Sequence, residues 1–542
     1  MDLEMHPIAM PDRVWSVGVK TVTVISRILG CALVFISILI SAAEPLAKAD
    51  SDEKIRHILE HFNVPGAAIG VVKDGKIISA TGYGVKDMGS GAAVGPDTIF
   101  KIGSNSKAFT VAALALLVDE GKISWDAPVI RYLPDFRLYD PWITTHFTIT
   151  DLLTHRSGLG PGAGDLMLWP EPSRFSPQEV VHNLRYLKAD GQFRGDYAYE
   201  NLLYIAAGEI IPAATGTPWQ TFVQERIIQP LGMRHCYTHV PPSFEQVNLA
   251  TPHGMVEGRL QPIIRREKPG TSSVSAAAVG IQCSLNDMLI WARLWLRQGK
   301  MPDEKELFSA AQHRQMWFAQ TIMPLAKTDA RHNQSHFSSY GLGWRLNNVD
   351  GYLRVHHSGS LAGMYSSLSI FPEIDLAIVI LTNQQSSEAR NALMYTTMKP
   401  FLGDSKTDWL KVFALQSPSP AVAPMASTVD THTAANPLSV PLAEYKGAYR
   451  DLWLGQFFIE HQGNRLQLRS DRVIKLVGAI YLTQENDRFL IRWDDRSLEA
   501  DVYAQFSRDQ QDHIQAMTLI PVSANIDFSY DFGDLNLTKV YP

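Results

Sequence analysis

Three cysteines in a chain of 542 residues are too few to staple a fold together. Cys31 falls in an apolar stretch near the amino terminus, so Cys236 and Cys283 allow one disulfide in an oxidising compartment, and the sequence does not say whether they meet. Two cysteines without histidines at ligand spacing also argue against a structural zinc site. His356 and His357 are neighbours, and neighbours on a strand point to opposite faces, so they cannot hold one ion between them. No metal and no cofactor is expected. A net charge of −6 without a basic block argues against nucleic acid as a partner. The strongest candidate for a membrane span, Ile28 to Ala43, falls short of the ~20 apolar residues a bilayer requires. No internal repeat is present.

That same stretch is preceded by Arg13, Lys20 and Arg27 and followed by small-x-small sites at Ser41-Ala42-Ala43 and Ala47-Lys48-Ala49. Residues 1–49 therefore read as a secretory leader, with an uncleaved anchor as the rival. In either case the bulk of the chain is expected outside the cytoplasm, in a periplasm or the medium, and membrane contact is expected only with the anchor. Apolar residues make up 45% of the chain, enough to bury the cores of two to four domains.

The segment IFKIGSNSKAFTVAALALLVDEG, Ile99 to Gly121, is apolar on nearly every side of a 3.6-residue turn from Ala108 to Val118. It predicts an interior helix that stops near Gly121. Ser104 and Lys107 stand three apart at its mouth, on one face. Two readings follow. In one, Ser104 caps the helix and Lys107 snorkels to water. In the other, a dehydrated lysine loses its proton, accepts that of the serine, and makes the serine a nucleophile beside the helix amino end. Ser51 to Lys54 repeats the spacing in a charged amphipathic stretch and reads as chance.

Coarse patterning gives a helix over Asp52–Phe62, then strands Ala67–Val72 and Lys76–Ala80 about an Asp74-Gly75 turn. A mostly helical middle follows, broken by a Gly/Pro-rich loop from Gly158 to Pro177. Met167, Leu168 and Trp169 in that loop either cover a cleft or form an ordinary surface excursion. Ser284 and Asp287 suggest a capping box for a helix running to Leu296. Strands return at Tyr352–His357, Ser366–Phe371 and Leu376–Leu381, so one sheet built from both ends of this region is expected. Residues 404–441 read as a Pro/Ser/Thr/Ala-rich linker, and the short alternating runs in 442–542 as an all-β sandwich or barrel.

Residues 50–403 resemble the serine β-lactamase and penicillin-binding-protein superfamily, in its class C-like branch with esterases and D-aminopeptidases. The likeness rests on GSNSKAFT around Ser104, LLTHRSGL at Leu152–Leu159, YENLLYIAAGEII from Tyr199 and HHSGSLAGMYSSL from His356. VPGAAIGVVKDGK, PLGM at Pro230–Met233 and YGLGW at Tyr340–Trp344 support it. The resemblance implies an α+β fold, an antiparallel sheet plus a helical region, followed by the barrel. It makes Ser104 the acylated nucleophile, Lys107 its partner and Tyr199 the third member of the proton relay, its phenol held at a lowered pKa by a cationic lysine. Asn201 would reach the substrate amide, while Gly359 lets substrate approach the strand and the N–H groups of Ser104 and Ser360 form the oxyanion hole.

One motif departs from the lactamase pattern: His357-Ser358-Gly359 stands where those enzymes usually carry Lys-Thr-Gly. A histidine, largely neutral at pH 7, serves a β-lactam carboxylate less well, and the resemblance associates this form with esterases and D-amino-acid peptidases. His357 is counted with the catalytic set, and His155 is expected to be a buried structural histidine. Residues from about Leu442 to Val540, including EYKGAYR and FSYDFGDLNLTKV, resemble the lipocalin-like domain appended to some of these hydrolases. The expected activity is hydrolysis of an ester or amide in a small molecule or peptide, cell-wall-derived material included. The alternatives are a β-lactamase or D-Ala-D-Ala carboxypeptidase, and a penicillin-binding sensor without turnover.

Overall fold

Runs rich in Val, Ile, Leu and Ala are buried on both faces when they lie in the middle of a sheet. The strands Gly66–Lys73 (GAAIGVVK) and Leu376–Thr382 (LAIVILT) do this together: they pair antiparallel, Ala67 opposite Thr382 and Lys73 opposite Leu376. A computed structural model describes residues 50–241, 243, 247–415, 442–462, 465–483, 485 and 487–541. The chain forms two units, 1–56 and 57–542. Of the first, residues 50–56 are described and are helical, as are residues 57–61 of the second. The leader read over 1–49 lies outside the described residues, and among those described no helix is long and apolar enough to cross a membrane.

The second unit holds an eight-stranded antiparallel sheet. Its order is Lys76–Gly84, Gly66–Lys73, Leu376–Thr382, Met364–Phe371, Tyr352–Leu361, Arg345–Val349, Ser338–Tyr340 and Thr321–Ile322. The expected hairpin is there, with Asp74 at φ +50° and Gly75 at φ +71° supplying the left-handed conformations of a two-residue turn. The helices Leu285–Leu296 and Ser387–Met398 pack on the sheet, and the Ser106–Asp119 helix packs against Ala276–Val279 and Leu202–Thr215. Ala108 and Phe109, and every residue from Val111 to Leu117, are buried apolar residues, each Leu contributing about 1.5–3 kcal/mol by leaving water. Gly121, at φ +68°, follows the helix end as anticipated.

A second, three-stranded sheet joins Ile99–Lys101, Gln282–Ser284 and Cys236–Tyr237. Cys236 lies opposite Cys283, and the two form a disulfide. Ser284 caps the following helix by accepting the N–H of Asp287, but the expected box is only half made. The Asp287 carboxylate instead takes the N–H of His235, at 2.6 Å.

The stretch read as linker from residue 404 opens with structure. Thr407 and Asp408 lead into a helix, Trp409–Ala414, whose Trp409 and Phe413 are buried and packed on Tyr395. Two aromatics four apart outweigh the polar composition around them. The rest of that stretch, 416–441, lies outside the described residues. Eight strands from Gly447–Asp451 to Leu537–Val540 then close into a barrel. Burial alternates along them, as at Val502, Ala504 and Phe506, so aromatic and aliphatic side chains fill the barrel core.

Candidate active site

Ser104 lies in a single 3₁₀ turn, Gly103–Asn105, that feeds the buried helix. This placement decides between the two readings of the motif. The helix N-cap is Asn105, without a side-chain bond, and Ser104 caps nothing. Lys107 does not snorkel: it is wholly buried. The turn is pinned by backbone on both sides. Ile102 N–H donates to Ile281 O at 3.0 Å, and the Ser106 hydroxyl accepts the N–H of Ile281 at 3.1 Å. On the other side the Tyr352–Leu361 strand comes so close that a Cβ on Gly359 would sit 1.9 Å from Ile102 O, and one on Gly103 2.5 Å from Ser360 N. Glycine at both places brings the Ser360 N–H beside the nucleophile turn, as expected for an oxyanion site.

The Lys107 Nζ lies 3.1 Å from Ser104 Oγ, 2.7 Å from Asn201 Oδ1 and 3.3 Å from the Ala278 carbonyl. Burial drives its pKa well below the ordinary lysine value; Asp165 opposes this and Arg345 adds to it. A neutral amine has two N–H groups and one lone pair. The Asn201 amide oxygen and the Ala278 carbonyl can only accept, so in the neutral amine they take the two hydrogens and leave the lone pair for the Ser104 hydroxyl.

Tyr199 stands over this pair, its ring centroid 4.8 Å from Lys107 Nζ. Two backbone bonds bracket it: Ala198 N–H to His155 O at 3.0 Å and Glu200 N–H to His155 Nδ1 at 3.1 Å. His155 is thus a buried support, its ring 4.3 Å from that of Tyr199. The expectation of a lowered phenol pKa is overturned. Burial pushes it above the ordinary tyrosine value, more than Ser104 and Arg345 pull it down. The buried hydroxyl lacks a hydrogen bond of full geometry and is a proton donor in want of an acceptor.

His357, counted with the catalytic set, is engaged elsewhere. Its Nδ1 donates to Ser358 O at 2.7 Å, which leaves Nε2 to accept the Tyr340 hydroxyl at 2.9 Å. Burial and the Arg345 guanidinium hold its pKa well below the ordinary histidine value. No nitrogen remains for a reacting group, so the imidazole is a strut behind Tyr199, ring centroids 6.2 Å apart. Asn201 also differs from expectation. It is buried, and its Nδ2 donates to Asp165 Oδ2 at 2.7 Å instead of facing a substrate.

Three further features surround the site. The Arg345 guanidinium lies 5.4 Å from the Tyr199 ring centroid, on the strand beside His356, with no carboxylate partner among the described residues. It restores near the phenol the positive charge that His357 lacks. A cleft of about 180 Å³ opens beside Ser360 and Tyr365, walled by Trp169 and Glu171 of the Gly/Pro-rich loop, whereas Met167 and Leu168 of that loop are buried in the core. Its floor holds a buried ion cluster: Lys101 pairs with Glu267 and with Glu171 at 3.6 Å. Burial pushes the Glu267 carboxyl up, but Lys101 and Arg265 overcome this and hold it at about 2. Finally, the barrel reaches in. Asp527, Ser529 and Tyr530 line the same cleft, and Phe528 meets the Tyr199 ring edge-on at 6.2 Å. Among the described residues no group of acidic, histidine or cysteine side chains is arranged to hold a metal.

Comparison with known proteins follows the same division of the chain. A family described as Beta-lactamase matches residues 52–400, and a domain of unknown function, DUF3471, matches 431–539. The unguisins hydrolase ungD' of Aspergillus campestris is 29% identical over 493 residues, covering 86% of this chain and 88% of its own. Protein flp of Staphylococcus aureus is 27% identical over 355 residues, 62% of this chain and 64% of its own. Among solved structures, the octameric penicillin-binding protein homologue from Pyrococcus abyssi superposes with a TM-score of 0.57 at 20% identity, over 91% of this chain and 99% of that one. The class C β-lactamase from Rhodobacter sphaeroides gives 0.53 at 22%, over 65% and 99%. At those identities the two structures bear on the fold alone. The matched family spans the sheet, the helical region and the Ser104–Lys107–Tyr199 cluster together, and the chain belongs to the beta-lactamase family of serine hydrolases.

Proposed function

We propose that the protein is an exported hydrolase that cleaves an ester or amide, a peptide or D-amino-acid derivative, through an acyl-enzyme on Ser104. The observation that carries this is the buried Lys107 Nζ, 3.1 Å from Ser104 Oγ, with the carbonyl oxygens of Asn201 and Ala278 at 2.7 and 3.3 Å to take its hydrogens. Lys107 takes the serine proton as Oγ bonds to the substrate carbonyl carbon. The oxyanion sits between the Ser104 and Ser360 N–H groups. As the scissile bond breaks, Tyr199 gives its proton to the leaving group and is reprotonated from the Lys107 ammonium, so charge and protons balance. Water then reverses these steps on the acyl-enzyme. The hydrolase of A. campestris named for unguisins supports hydrolytic activity in this lineage, and the buried Cys236–Cys283 disulfide supports an oxidising compartment.

Arg345 favours a second reading, in which the substrate carries a carboxylate, as a β-lactam or a D-Ala-D-Ala peptide does. Nitrocefin, a D-alanyl anilide and a short-chain p-nitrophenyl ester, compared at equal enzyme, separate the two. The cephalosporin is expected to be the poorest of the three. A cephalosporin rate far above the others moves the assignment to a β-lactamase, and stoichiometric labelling by penicillin without turnover moves it to a sensor.

Tyr199→Phe tests the proton donor. An anilide cannot leave without a proton, whereas a nitrophenolate can. The variant is therefore expected to lose about 100- to 10,000-fold in kcat/KM on the anilide and far less on the ester. Equal losses on both would assign Tyr199 a role in activating Ser104 instead.

A further inference from the structure

The Lys107 amine is held from behind by a chain of contacts that ends in the barrel. An asparagine amide can lie either way round, and here its oxygen must face Lys107. Asn201 is fixed in that sense because Nδ2 donates to Asp165 Oδ2 at 2.7 Å while Oδ1 receives the Lys107 N–H at 2.7 Å. Turned over, it would set N–H against N–H and carbonyl against carboxylate. Asp165 is held in its turn. Asp531 accepts the N–H groups on either side of it, Gly164 at 2.5 Å and Leu166 at 3.1 Å, and Ser529 of the same segment favours its ionised form. Ser529 and Asp531 belong to the segment joining the last two barrel strands, Ile514–Pro521 and Leu537–Val540.

We propose that Asp165 is the positioning residue of the Ser104–Lys107 pair, and that the barrel acts on the active site through the clamp that Ser529 and Asp531 place on it. This rests on the hydrolase reading above and adds to it that the carboxy-terminal domain sets catalytic competence as well as the shape of the cleft.

The clamp carries a pH dependence. Burial pushes the Asp165 carboxyl up to about 7, against Asn201, Ser529 and Lys107, which pull it down, and Asp527, which adds to the rise. The other titratable groups facing it are Asp531 of the barrel and Tyr199 and Glu200 of the turn before the Leu202–Thr215 helix, each with its pKa raised by burial. Below about pH 7 Asp165 gains a proton and becomes a donor, and Asn201 is free to turn. Above it the carboxylate locks Asn201 and the rate rises. Removing the carboxylate also removes an interaction that raises the Lys107 pKa, so Lys107 stays neutral to lower pH.

The test is the pH profile of kcat/KM on the p-nitrophenyl ester with the full chain. Asp165→Asn is expected to lower kcat about 100-fold with little change in KM, and to move the acid limb to lower pH. Ser529→Ala removes a hydroxyl that favours the carboxylate form and is expected to move the limb the other way, to higher pH. Limbs that stay in place in both variants, or a loss confined to KM, overturn the proposal. If Asp165→Asn does not fold, the Ser529→Ala profile decides alone. Ester turnover that survives Ser104→Ala marks a failure of the hydrolase reading itself, whatever the limbs do.

Discussion

Ser104→Ala is expected to abolish steady turnover of a p-nitrophenyl ester, lowering kcat by at least about 10,000-fold, while the protein melts where the parent does. The size follows from removing the atom that forms the covalent bond; in serine hydrolases that single loss costs nearly as much as removing the whole catalytic set. The unchanged melt follows from the geometry. Ser104 makes no cap, and its hydroxyl bonds to Lys107, which keeps Asn201 and Ala278 as acceptors. The measurement is steady-state kinetics beside a thermal melt. Turnover within about tenfold of the parent would remove Ser104 from the chemistry and leave the buried lysine unexplained.

Gly359→Ala is expected to cost both activity and stability. The added methyl would sit 1.9 Å from Ile102 O and 2.5 Å from Ser366 Oγ, and those two atoms are bonded to each other at 2.6 Å. Neither can give way without moving the backbone that leads into Ser104. The strand must retreat by about an ångström, which carries the Ser360 N–H away from the oxyanion position and costs about 100-fold in kcat. Overpacking of this kind also costs about 1–3 kcal/mol. Gly95→Ala is the control: a Cβ there meets nothing within 4 Å, so its melt and kinetics should match the parent. A Gly359→Ala enzyme with parent kinetics would show that the Ser360 N–H is not an oxyanion donor.

The motif residues were legible because each is fixed by its own short segment. Ser104 and Lys107 share one helical start, and the strands of the sheet announce themselves by apolar runs closed by Asp74-Gly75 and similar turns. Arg345, Asp165 and Ser529 were not legible, since what makes them functional is a neighbour far along the chain: Tyr199, Asn201 and Asp165 respectively. No local pattern marks an arginine that follows YGLGW or an aspartate in a Gly/Pro-rich loop. The same reason explains the sign error at Tyr199. The sequence shows a lysine near a tyrosine but not how deeply both are buried, and burial raises the phenol pKa where a lowered one was expected. Likewise Ser284 and Asp287 promise a reciprocal cap until His235, brought in by the second sheet, claims the aspartate.

The pairing of Gly66–Lys73 with Leu376–Thr382 has a consequence for biosynthesis. The earlier strand leaves the ribosome roughly 300 residues before its partner exists, about 15–60 s at ordinary elongation rates. Through that interval GAAIGVVK is a nascent, sticky β-segment that can zip only to its hairpin neighbour, Lys76–Gly84. Translation therefore delivers the sheet late and all at once, and a holdase or an unfolded passage through a translocon fits this topology better than domain-by-domain maturation.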